Sequence, residues 1–205
     1  FRWPQFALSE FKFAMKEAGQ MVEYLEANPH ITDVLFTGGD PAVMKTKFFE
    51  HYFDALLEAD IPHLRNIRIG TKSLAYWPYR FTTDPDADDL LRLFEKVKKQ
   101  GINIALMAHF NHPGELKTKS VQDAVQRLLN AGVQIRSQSP VMRNINDRAD
   151  IWAENWKEQV RQGIIPYYMF VARDTGAQDY FSVTLEKSWK IYRRAYQQVS
   201  GLART

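Results

Sequence analysis

The chain has 205 residues, 45% of them hydrophobic, which is enough to bury a full core as one domain. Its net charge of +3 is mild and its basic residues are interleaved with acids, so neither nucleic acid nor a membrane surface is called for as a partner. It contains no cysteine, which excludes disulfides and thiolate ligands within this sequence.

Taken in order, Phe1 to Leu8 is an aromatic-rich opening segment, and Ser9 is a candidate N-cap. From Glu10 to Ala27 the apolar residues Phe11, Ala14, Met15, Ala18, Val22 and Leu25 keep helical spacing, and Asn28-Pro29 ends the helix. Ile31 to Thr37 is the first clear strand. Phe48 to Ala59 is the next helix, and Asn66 to Thr71 the second strand. Leu74 to Phe81 reads as an aromatic loop. Helices are expected at Asp84–Gln100, Ser120–Ala131, Ala149–Gln162 and Thr184–Val199. Strands are expected at Ile102–Phe110, Val133–Ser139 and Ile165–Ala172. Gly101, Gly132 and Gly163 each stand where a helix must stop.

This alternation predicts β-α-β units and a parallel sheet. The residues alone leave a barrel and an open doubly wound sheet equally open. No apolar run nears the roughly 18 residues of a spanning helix, and no signal peptide is visible. A cytoplasmic enzyme is the expectation. The chain opens on Phe1 rather than Met and stops without a tail-like composition, so it reads as the interior of a longer protein.

The segment Asp33-Val34-Leu35-Phe36-Thr37-Gly38-Gly39-Asp40-Pro41 is where the chemistry is sought first. An apolar strand breaks off at two glycines, whose missing Cβ lets backbone approach a ligand, and Asp40 adds a carboxylate. The same four residues are also an ordinary turn sequence. Polar residues follow the other strands too: Thr71-Lys72-Ser73, His109-Phe110-Asn111-His112, Arg136-Ser137-Gln138-Ser139 with Asn144 and Asp147 beyond, and Arg173-Asp174-Thr175. A parallel barrel would gather them on one rim. His109 and His112 read as hydrogen-bonding residues rather than a metal pair, because a strand puts i and i+3 on opposite faces. Arg68 and Arg136 lie inside strands, where ion pairs with Asp40 or Asp147 and ligand contacts are equally consistent.

Together these stretches resemble the lysine 2,3-aminomutase family of radical S-adenosylmethionine (SAM) enzymes. Thr37-Gly38-Gly39-Asp40-Pro41 looks like its SAM-binding glycine motif. Ile67-Arg68-Ile69-Gly70-Thr71, His109-Phe110-Asn111-His112-Pro113, Gln134-Ile135-Arg136-Ser137-Gln138-Ser139, Asn144-Ile145-Asn146-Asp147 and Pro166-Tyr167-Tyr168 follow in the family's order. The resemblance covers essentially the whole chain and implies a partial (β/α)6 radical-SAM barrel over residues 1–205.

It implies further that the cysteines holding a [4Fe–4S] cluster lie upstream of Phe1. The lysine that holds pyridoxal phosphate (PLP) would lie beyond Thr205. No catalytic residue and no metal ligand would then fall within this chain, and the chain alone would be inactive. By resemblance, Thr37, Gly38, Gly39 and Asp40 receive the amino-acid end of SAM. Gln138 reaches its ribose, and His109 lies by the nucleoside. The implied reaction moves an α-amino group to the β-carbon through a 5′-deoxyadenosyl radical, with a small-molecule amino acid as substrate. Homo-oligomerisation is left open. Arg2 matches a family arginine near the substrate carboxylate. Lysine-specific members place an aspartate where Arg173 stands here, with Asp174 one residue late. That points to a substrate other than lysine, with a one-residue loop shift as the rival reading. The alternative functions are a metal-dependent barrel hydrolase using His109, His112 and an acid, and a non-catalytic binding barrel.

Overall fold

The computed structural model describes residues 17–172 and 178–204. In chain order the elements are α1 (Ala18–Glu26), β1 (Asp33–Phe36), α2 (Thr46–Glu58), β2 (Asn66–Thr71), α3 (Ser73–Tyr76) and α4 (Ala87–Lys99). There follow β3 (Asn103–His109), α5 (Lys119–Asn130), β4 (Gln134–Val141), α6 (Ala149–Arg161), β5 (Ile165–Val171), α7 (Gln178–Phe181) and α8 (Leu185–Gln197). Short 3-10 turns occupy Pro41–Val43, Pro78–Phe81, Pro113–Leu116 and Gly201–Ala203.

The strands form one parallel sheet in the order β1-β2-β3-β4-β5. Spatial order that follows sequence order without reversal is the winding of a barrel wall, since a doubly wound sheet reverses at a switch point. The choice that periodicity left open is therefore made by topology. The fold is an α/β partial barrel.

Strand alternation divides the sheet's two faces. Register aligns Phe36, Ile69, Leu106 and Ile135 in one row on the helix-facing side. Ile69, Leu106 and Ile135 are fully buried there with Ile67, Ile104, Phe53, Leu90, Phe94 and Leu128 in one core. Each such aliphatic side chain contributes about 1.5–3 kcal/mol on leaving water. A second apolar cluster joins Val141, Trp152, Trp156, Ile191 and Val199 between β4, α6 and α8. The opposite, concave face carries Leu35, Arg68, Ala105 and Gln134 in one row, then Gly70, Met107 and Arg136, then His109 beside Gln138.

Most expected elements stand within a few residues of their expected bounds. The glycine stops hold: Gly101, Gly132 and Gly163 have φ of 80°, 77° and 82°. A Cβ on Gly163 would also lie 2.9 Å from Leu129 Cδ1. The expected loop at Leu74–Phe81 is instead α3 and a 3-10 turn, because Leu74 and Phe81 are core residues with 0% exposure. β4 runs on to Val141, so Ser137 and Ser139 are not at its end. They lie on the helix-facing side, where Ser137 donates to Gln159 Oε1 at 2.5 Å and Ser139 to the Phe110 carbonyl. Register against β5 slips between Ser137 and Gln138, because Pro166 brings no N–H to the ladder and Tyr167 is left as the extra residue. Strict alternation is lost there, and both Tyr167 and Tyr168 face the concave side. No helix among the described residues is long and apolar enough to cross a membrane.

Candidate active site at the C-terminal rim

β1 is short, and the chain leaves it through Thr37, Gly38 and Gly39. The φ values of Gly38 and Gly39 are 106° and 64°, in the region closed to ordinary side chains. Asp40 returns to extended backbone and caps the turn Pro41–Val43 by accepting from Ala42 N at 3.1 Å. Its carboxylate reaches across to the end of β2. Oδ1 also accepts from Thr71 Oγ1 at 2.6 Å, and Oδ2 accepts from Lys72 N at 2.8 Å and Tyr76 Oη at 3.2 Å. A carboxylate offers about four acceptor positions, so all are in use. The Tyr76 bond is the longest of the four, and Tyr76 is exposed. The nearby Asp40 charge and loss of solvent raise the Tyr76 phenol above its ordinary value, burial being the larger cause.

Lys72 turns the other way along the rim. Its Nζ pairs with Glu115 Oε1 at 2.9 Å and donates to the His109 carbonyl at 3.3 Å. Glu115 Oε2 in turn accepts from Asn111 N at 2.6 Å and, at 3.4 Å, from His112 N. His112 is committed locally: its Nδ1 accepts from Gly114 N at 3.1 Å, capping Pro113–Leu116. It does not join His109, and no group of three His, Cys, Asp or Glu that could hold a metal occurs among the described residues.

His109 ends β3 on the concave face. Burial, then the Lys72 cation, pushes its pKa down to about 4, so it is a neutral imidazole near pH 7. Its Nε2 is buried without a well-formed hydrogen bond, as is Asn111 Oδ1 two residues on, and the Asn111 side chain acts on the imidazole as a weak partner that raises its pKa against those two causes. Buried polar atoms so poorly met are uncommon in folded proteins and leave hydrogen-bonding capacity for a further partner. Register sets Gln138 directly beside His109, and the Phe170 ring is 6.4 Å away from the imidazole. Thus Thr37, Gly38, Gly39 and Asp40 line one side of the rim, and His109 and Gln138 the other. Arg2, Arg173 and Asp174 lie outside the described residues.

Two strand arginines depart from expectation. Arg68 pairs with Asp33 at 2.7 Å, not Asp40, because the two side chains share the concave face on adjacent strands. Arg136 donates to Gln134 at 2.7 Å and lies 5.1 Å from the Tyr167 ring centre, while Asp147 takes Lys187 at 2.5 Å. Arg68 and Arg136 line a cavity of about 920 Å³ with Ala105, Met107 and Tyr168. It opens toward the strand starts, away from the glycine turn. Lys72, Glu115 and Tyr76 are the rim residues that sequence reasoning left without a role. For Glu115 a signal existed: it stands three residues after His112, the spacing of a capping box.

No family model matches the chain. Its relatives carry the decisive information. A protein of Aquifex aeolicus (strain VF5), provisionally named L-lysine 2,3-aminomutase, is 37% identical over 92% of this chain and 49% of its own length. The glutamate 2,3-aminomutase of Clostridioides difficile (strain 630) is 31% identical over 90% of this chain and 41% of its own. The L-lysine 2,3-aminomutase of Clostridium subterminale is 28% identical over 94% of this chain and 44% of its own. This chain is a homologue of the 2,3-aminomutases. It spans about half the length of the curated relatives it matches. In fold, this aminomutase homologue is similar to a radical SAM methyltransferase from Sphaerobacter thermophilus, with TM-score 0.56 at 13% identity, covering 89% of this chain and 55% of that one. Relatives named for lysine and for glutamate match it comparably, so similarity alone does not choose its substrate.

Proposed function

We propose that this chain is the SAM-binding part of a radical SAM, PLP-dependent amino-acid 2,3-aminomutase. The observation that carries the reading is His109, buried with no well-formed hydrogen bond at Nε2, which stands beside Gln138 on the rim that also bears the Gly38-Gly39-Asp40 turn. The donor chemistry suits SAM. His109 and Gln138 offer hydrogen-bonding atoms to a nucleoside, and the glycine turn offers main chain to an amino-acid end. Beside the glycine turn, two carboxylates against one ammonium (Asp40, Glu115 and Lys72) leave a local negative balance, which favours a sulfonium cation there.

Bound together, SAM and an iron–sulfur cluster supply a carbon radical, and PLP holds the migrating amine. This chain's own share is binding, orientation and exclusion of water. Asp40 holds the turn in shape, and an incoming ammonium would take the place of the Tyr76 hydroxyl on Oδ2. His109 stays uncharged, so it can orient a nucleoside without repelling the sulfonium. The sequence has no cysteine, so its residues do not fit a cluster. Cluster and PLP ligands would come from outside these residues, and the chain alone would be inactive. The metal-dependent hydrolase reading loses its ligand pair, because His112 is used as a cap.

The protein is cytoplasmic in this reading, and its partner is a small amino acid with an anionic or neutral side chain, on the strength of Arg173. The test is the full-length protein reconstituted anaerobically with iron, sulfide, PLP and SAM. Lysine, glutamate and a neutral amino acid are offered in turn, and 5′-deoxyadenosine is measured. Release stimulated by glutamate or the neutral amino acid is expected. Efficient β-lysine formation would overturn the substrate class, and absence of SAM cleavage with every amino acid would overturn the function.

A further inference from the structure

Arg80 is the most deeply buried cation among the described residues, with 1% exposure, and no ligand contact requires it. A guanidinium cannot give up its proton, so burial is tolerated only where its N–H groups are met. Here Nε donates to the Ala42 carbonyl at 2.9 Å. Nη2 donates to the Met44 carbonyl at 3.1 Å and to Thr46 Oγ1 at 3.2 Å. Nη1 pairs with Asp86 Oδ1 at 3.0 Å, and Nη2 lies 3.4 Å from Asp86 Oδ2. Asp86 closes the arrangement by accepting from Thr46 N at 2.7 Å and Thr46 Oγ1 at 2.9 Å.

All three acceptors outside the ion pair belong to residues 42–46, the leg by which the chain leaves the glycine turn. Ala42 is held at both ends: its N–H by the Asp40 carboxylate and its C=O by Arg80. A turn with two glycines at positive φ has many conformations to lose when a ligand arrives. Fixing Ala42 removes that freedom beforehand, and Asp40, two residues upstream, is fixed with it. A planar fork meets acceptors in several directions at once, which a lysine ammonium on a flexible stem does not reproduce.

We propose that Arg80 is a positioning residue that preorganises the Gly38-Gly39-Asp40 turn for the methionine end of SAM without touching it. This rests on the SAM-binding reading above. The test compares full-length wild type, Arg80→Lys, Thr46→Ala and the remote core control Val125→Ala. SAM affinity is measured by calorimetry without an electron donor, and amide hydrogen exchange at Val43 and Met44 without ligand.

Arg80→Lys is expected to weaken SAM binding about tenfold or more, through lost preorganisation. It should also speed exchange at both amides, whose bonds run to Asp40 and Pro41 carbonyls. Steady-state KM for SAM should rise while kcat at saturating SAM holds. Thr46→Ala, which keeps Arg80 and removes one acceptor, should show the same pattern with smaller amplitude and carries the test if Arg80→Lys does not fold. Val125→Ala should lose stability but keep wild-type SAM affinity. Unchanged affinity in the turn variants, or an equal loss in Val125→Ala, overturns the proposal alone. Wild type that binds no SAM overturns the functional reading, and this inference with it.

Discussion

On the glycine-turn side of the rim, hydrogen-bonding capacity is spent within the protein. Asp40 accepts from four donors, and the buried Arg80 reaches Ala42, Met44, Thr46 and Asp86. On the β3–β4 side, His109 Nε2 and Asn111 Oδ1 are buried without a well-formed hydrogen bond, and the Gln138 side chain makes none among the described residues. A polar group left unmet in the interior costs about 1–3 kcal/mol. The first side uses its polar atoms to hold a backbone shape. The second retains unmet atoms, as a surface does whose partner arrives from outside. Mutations on the first side should therefore act on stability as well as on SAM affinity, and loss of the Gln138 amide on the second side on affinity with stability kept.

The largest effect expected from this contrast is Arg80→Met. It removes the counter-ion of Asp86 and leaves two carbonyls without their Arg80 donor, and urea unfolding should show a loss of about 3 kcal/mol or more. A loss below one would mean that the clamp is dispensable.

His109 should give the opposite sign of evidence through pH. Its folded pKa of about 4 lies below the ordinary 6.5, so between those values the unfolded chain binds a proton that the folded chain does not. Stability from this group is full above pH 6.5 and falls as pH drops, by roughly 3 kcal/mol by the time pH reaches 4. His109→Gln removes that dependence, and unfolding midpoints at pH 7 and 4.5 in both proteins would check it. Parallel slopes would contradict a buried neutral imidazole.

Gly38→Ala puts a Cβ at a φ of 106° and should cost about 1–2 kcal/mol in thermal or urea unfolding. Smallest in stability is Gln138→Ala, expected within about 0.5 kcal/mol of wild type because nothing in the protein depends on its amide. SAM affinity should nevertheless fall several-fold in calorimetry. The reverse pattern, a large stability loss with affinity intact, would erase the distinction between the two sides.

Much of the fold was legible beforehand because it depends on local chemistry. Period-2 runs such as Asn66–Thr71 and the helix stops at Gly101, Gly132 and Gly163 depend on backbone and alternation within a few residues. The pairing of His109 with Gln138 could be anticipated only through the family resemblance. Partners of charged groups were not legible. Arg68 chose Asp33 because register on the concave face brought the two together, and Arg136 turned to Gln134, two residues back on its own strand, rather than to a distant acid. The reading of β4 as ending at Ser139 misplaced two serines, since the strand continues and alternation turns both toward the helices.

By itself, then, the sequence determined the order of elements, the Gly38-Gly39 break after β1 and the relation to the aminomutases. Those follow from hydrophobic period, glycine conformation and motif order, all written in neighbouring residues. The tertiary structure decided what hydrophobic period could not, that the sheet winds as the barrel wall the family resemblance implied, and it alone decided that Pro166 slips the β5 register. It also decided that Asp40 is bound by Thr71, 31 residues away, and that Arg80 holds Ala42 across 38. The physical reason is range. A buried carboxylate or guanidinium must find whatever complementary group the packed strands bring within 3 Å, and no local pattern in the chain names that group in advance.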